Sequence, residues 1–132
     1  MSDLKNREFL LPIPRELKIK LENKRKEYLE RIGQPNCAWV SWQQSDLICR
    51  HNSDPDFRLL YYKFVILSTV LIANEKYEVR KSAGTNSMPN TVDSRLIGFD
   101  LSRSLGRAVI SEEFESACEV IDNYVTGKEQ LN

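Results

Sequence analysis

The chain is poor in the residues on which most catalytic and metal sites depend. It carries one histidine, three cysteines and five glycines. The single histidine, His51, falls in a polar stretch between Cys49 and Asp54. A Cys and a His two positions apart are seldom aimed at one another, so His51 reads as a solvated turn residue rather than a base for a thiol. One His with scattered cysteines falls short of the ligands a closed zinc site needs, and no metal is expected. The glycines are dispersed, and neither GxxxxGK[ST] nor GxGxxG occurs, which argues against a phosphate-cradling loop. Paired carboxylates at Asp54 and Asp56, and at Glu112 and Glu113, stand where helix starts favour acidic residues anyway. The expectation is a protein without catalytic residues, metal or small-molecule cofactor.

Charge of one sign is missing as well. Lysine plus arginine equal aspartate plus glutamate at 19 each, so the chain as a whole has no field to draw it to nucleic acid or anionic lipid. The longest apolar run, 64–73, is interrupted by Ser68 and Thr69 and is far short of the ~20 residues a bilayer requires. Cys37, Cys49 and Cys118 fit neither a CxxC hook nor a paired disulfide framework. The opening residues lack the basic-then-apolar order of an export signal. A reduced, cytoplasmic protein without membrane contact is the corresponding expectation.

What the chain has is enough apolar material for one core. Its 132 residues are 41% hydrophobic and 29% charged, the balance of an ordinary globular domain. Residues 1–13 end in Phe9, Leu10, Leu11 and Ile13 broken by Pro12 and Pro14, which forces extended backbone and predicts a packed N-terminal arm. Pro14 then opens a stretch of good helix formers from Arg15 to Ile32, closed by Gly33. Leu17, Leu21, Tyr28 and Ile32 form a narrow apolar stripe on that helix.

Residues 36–52 are ambiguous: Ala38, Val40 and Trp42 alternate as in a strand, whereas Val40, Leu47 and Ile48 suit a helix, which is the preferred reading. Ser53-Asp54-Pro55-Asp56 is a helix start, with Ser53 three residues ahead of an acid and proline in the first turn. The helix that follows is apolar on several faces over 57–72 and is the candidate centre of the fold. It is expected to loosen over 75–82 and stop at Gly84, before a loop over 85–90. Leu96, Ile97, Leu101 and Leu105 suit a helix within 91–109, although Ile97, Phe99 and Leu101 also alternate and a short hairpin competes. Ser111 reads as the cap of a last helix, with Phe114, Ala117, Cys118, Ile121, Tyr124 and Val125 on one face and Gly127 at its end. The fold expected is one all-α domain over 1–132, a bundle of four or five helices around a central buried helix, with α+β as the alternative if 38–42 and 97–109 are strands.

Phe9, Leu11 and Ile13, followed by Pro14-Arg15-Glu16-Leu17-Lys18, resemble the strand-to-helix junction of ribbon-helix-helix DNA-binding proteins over about the first third of the chain. In that family the polar residues between the apolar strand positions enter the major groove. Here those positions are Glu8, Leu10 and Pro12, which offer no base-reading side chain and lose a strand N–H, so no residue is carried over.

For function the sequence supports a non-enzymatic interaction protein, an accessory subunit that binds another protein or itself. The candidate contact residues are Phe9 and Leu10 of the arm with Trp39 and Trp42, because tryptophan and other large apolar groups anchor interfaces. A nucleic-acid-binding subunit is the alternative. It would use Lys18, Lys20, Lys24, Arg25 and Lys26 on the first helix, with Arg95, Arg103 and Arg107 as a second cluster. Glu16, Glu22, Glu27 and Glu30 are interleaved with the first group, the pattern of a solvated helix with intrahelical pairs.

Overall fold

The computed structural model describes residues 6–32, 54–84 and 89–127. Over these residues the chain runs β1 (Glu8–Leu10), α1 (Arg15–Ile32), α2 (Pro55–Ser82), β2 (Thr91–Asp93), α3 (Ser94–Leu105) and α4 (Ser111–Thr126). The helix-dominated bundle expected from periodicity is what forms. The stretch 36–52, Gly33 and Ser53 lie outside the described residues.

Helix α2 is the centre. Its 28 residues are preceded by the cap Asp54, whose carboxylate accepts the Asp56 N–H at 3.0 Å, while Pro55 at the first helical position has no N–H to satisfy. The cap that the structure shows is thus Asp54, where spacing had pointed to Ser53. Tyr61, Tyr62, Phe64, Val65, Ile66, Leu67, Val70 and Leu71 are all buried, so the helix is covered on most of its circumference. Thr69 hides its hydroxyl by donating to the Val65 carbonyl at 2.8 Å. The last turns do not loosen: the helix continues to Ser82, and Gly84 follows in the left-handed conformation.

Two helices sandwich α2. Helix α1 packs Leu21, Tyr28 and Leu29 on it, and α4 packs Phe114, Ala117, Cys118, Ile121 and Val125. Tyr62 meets Phe114 edge to face with centroids 6.0 Å apart, the arrangement that ring quadrupoles favour. Ser111, read as the cap of α4, is instead its first helical residue. Ile110 occupies the cap position and makes no side-chain cap bond, so the acids Glu112 and Glu113 are what favour this helix start electrostatically.

The region 91–109 is neither one long helix nor a hairpin. Thr91 and Val92 are β-branched and extend as β2, and Asp93 then caps α3 by accepting the Arg95 N–H at 2.9 Å. Gly106, at φ 68°, closes α3. β2 pairs antiparallel with β1 in the register Glu8 to Asp93, Phe9 to Val92 and Leu10 to Thr91. The ribbon is extended at both ends by Leu11 N–H to Asn90 O at 2.8 Å and Ser94 N–H to Arg7 O at 2.9 Å. β1 therefore finds its strand partner inside its own chain, in β2. The alternation of the arm sends Phe9, Leu11 and Ile13 inward to the core and leaves Glu8, Leu10 and Pro12 exposed.

Candidate interaction surface

The side chains proposed from sequence for a protein contact separate once the chain is folded. Phe9 is 1% exposed and part of the core, so it holds the arm in place and is not offered to a partner. Leu10, its neighbour on the opposite side of the strand, is 65% exposed. Trp39 and Trp42 lie outside the described residues.

The basic residues of α1 do not form an outward stripe. Lys18, Lys24 and Arg25 are half-buried along the borders of the seam that α1 makes with the core, while Lys20 and Lys26 are exposed. Lys18 reaches Glu78 of α2 at 3.7 Å. Lys24 lies 3.2 Å from Glu27 and 5.7 Å from the centre of the Tyr28 ring. Lys63 of α2 also faces this seam; burial, together with Arg31 and Lys24, holds its ammonium below the usual lysine range. In the second cluster, Arg95 is 3.5 Å from Asp93 and Arg103 is 2.6 Å from Asp100. Arg107 is exposed in the segment after Gly106. Two further charged contacts join elements of the fold to one another. Arg58 and Glu113 form a forked pair at 2.8 and 2.7 Å that ties the first turns of α2 and α4 together. Arg7 approaches Glu119 at 3.8 Å and Asp122 at 4.0 Å and fastens the arm to α4.

The surface that stands out is on α3. Ser94, Ile97, Gly98, Leu101 and Leu105 face the protein. That stripe fixes the rotation of the helix and carries Leu96 and Phe99 to the opposite side, three residues and about one turn apart. They are 63% and 66% exposed, among the largest apolar side chains left in water. Leu96, Ile97, Leu101 and Leu105 suit a helix by spacing, and the helix leaves Leu96 outside the buried stripe of the other three. Phe99 was read as part of a strand alternation. The signal present in the sequence was that the pair 96 and 99 is offset from the set 94, 97, 101 and 105, and only the knowledge of which set is covered makes it legible.

Around the pair, Arg95 stands on one border and Asp100 on the other, with Arg103 one turn beyond Phe99. All three are exposed. The arrangement has an apolar centre and charged edges, the anatomy of a small binding patch. Among the described residues, no group of three or more His, Cys, Asp or Glu side chains is placed to hold a metal ion, and no helix is long and apolar enough to cross a membrane.

No family model, no curated protein and no solved structure matches the chain.

Proposed function

We propose that this chain is a protein-binding module, an accessory subunit that presents the outer face of α3 to a partner. The observation that supports the reading is the exposure of Leu96 and Phe99, one turn apart on a rigid helix whose other side is anchored in the core. Isolated apolar residues on a surface are ordinary, but two large ones adjoining on a helix and edged by opposite charges form a patch with a shape and a polarity. Leu10, opposite Thr91 on the ribbon that leads into α3, is a further large apolar side chain left exposed.

Nucleic-acid binding is the second reading; the cations it would use are the exposed Lys20 and Lys26 of α1 and Arg103 and Arg107 at the end of α3. In that case affinity falls steeply as salt rises, with a slope set by the number of phosphates neutralised.

Photo-crosslinking decides the first reading. A benzophenone side chain is placed at Leu96 or Phe99, and at exposed Asn23 of α1 as control, in the full chain in its native cells. The expected result is a protein adduct of defined mass from positions 96 and 99 that position 23 does not give. Equal adducts from all three positions, or none from 96 and 99, would overturn it.

A further inference from the structure

The charges around the α3 patch fit one kind of occupant better than others. We propose that the face is covered by the same face of a second copy of this chain, the two α3 helices packing in parallel about a two-fold axis. The proposal rests on the protein-binding reading and names its partner.

The argument is one of spacing. In a parallel pair of helices, central residues three and four apart meet their own counterparts across the axis. The borders instead cross over, so that a residue on one edge meets the residue five positions further along on the opposite edge of the partner. On α3 the central residues are Leu96 and Phe99, and the two edge residues, Arg95 and Asp100, are five positions apart and opposite in charge. A single register therefore puts Leu96 against Leu96 and Phe99 against Phe99, and forms an Arg95–Asp100 contact on both sides at once. An antiparallel pair would set the Arg95 edges against each other and the Asp100 edges against each other. A partner carrying one sign of charge would suit one edge and be opposed by the other. Arg103, next along the central line, is already held 2.6 Å from Asp100, which offsets the meeting of two cations there.

Nothing at long range opposes the approach of two copies, because acidic and basic residues balance at 19 each. A helix of 12 residues is about 18 Å long, so two such faces cover less than the ~1,200–2,000 Å² of a standard stable interface. The pair is accordingly weak and reversible, and it forms as concentration rises.

The test is sedimentation velocity on the full chain over a concentration series, combined with charge reversal. The wild-type chain should move from monomer to dimer. Replacing both Leu96 and Phe99 by alanine should raise the dimer dissociation constant about tenfold or more, the effect of truncating central anchors. Arg95→Asp alone and Asp100→Arg alone should each stay monomeric, since each places like charges on both edges. Mixed in equal amounts they should associate, because every mixed pair then has opposite charges on both edges. Circular dichroism melts of each variant confirm that the fold is intact.

Self-pairing is overturned by a chain that is monomeric at every concentration, by a dimer indifferent to these substitutions, or by single variants that fail to associate when mixed. If the chain is monomeric and the crosslinker at Phe99 captures a different protein, the partner named here is wrong and the protein-binding reading stands. A monomer with no adduct at 96 or 99 removes both.

Discussion

Asn74, in the C-terminal half of α2, accepts the backbone N–H of Ile13 through its Oδ1 at 2.8 Å and donates through Nδ2 to Glu78 at 2.9 Å. The two residues are 61 positions apart, and Asn74 is fully buried. This bond locks the end of the arm to the central helix at the point where Pro14 turns the chain into α1. Asn74→Ala leaves a buried N–H without a partner and should cost about 1–3 kcal/mol in urea unfolding. Amide exchange should accelerate most in β1 and β2, whose pairing depends on the arm staying docked. Uniform acceleration over all helices would mean that Asn74 is not a latch for the arm.

Arg58 and Glu113 join the starts of α2 and α4 through a forked pair. Lysine keeps the charge but cannot present two parallel N–H donors, so Arg58→Lys should lower the melting temperature, and Glu113→Gln should do the same. The double variant should lose less than the sum of the two, as for groups that act on each other. Additive losses would show that the pair contributes no mutual stabilisation.

Burial pushes the Cys118 thiol up from its ordinary value of 9.0 to about 12, with the nearby Ser94 hydroxyl and Arg7 opposing the shift only in part. The folded state thus holds the thiol proton more tightly than the unfolded state. Its contribution to stability is complete below about 9 and is lost as pH rises through about 12. Cys118 should resist alkylation at pH 8 in the folded protein and react once the chain is unfolded in denaturant. Mass mapping of the modified cysteine checks this; rapid labelling at Cys118 under native conditions would contradict the burial.

Ser68 lies fully buried in α2, and its hydroxyl has no hydrogen-bond partner among the described residues. Removing a polar group in that position relieves its desolvation, so Ser68→Ala should be neutral or stabilising by up to about 1 kcal/mol. A clear loss of stability in the same urea measurement would reveal a bond that this hydroxyl makes.

Leu96 and Phe99 contribute little to the fold because they face water. Their alanine variants should each change stability by no more than about 0.5 kcal/mol, whereas Phe9→Ala, which opens the core, should cost about 3–5 kcal/mol. The contrast between these variants in one denaturation series separates surface from core. A comparable loss at Phe99 would place its ring in the interior.

Much of the fold was legible along the chain. The helix from Arg15 to Ile32 followed from Pro14 and a run of helix formers, and the burial of α2 followed from apolar residues on several faces. The reason is that helix formation and capping depend on neighbours within a few residues. The pairing of the arm with Thr91–Asp93 was not legible, because a strand of three residues carries almost no period and its partner lies more than 80 positions away. Extended backbone was foreseeable from the prolines; the partner strand was not.

The same division holds for the candidate surface. Sequence by itself determined that large apolar residues exist in excess of one clean stripe in α3 and at the arm, and that acids accompany most of the cations. Only tertiary structure decided that Phe9 turns inward while Leu10 turns outward, and that Leu96 and Phe99 face water. Amphipathic period specifies which residues share a face, but which face is covered depends on the elements that pack there: α4 against β1, and α2 against α3.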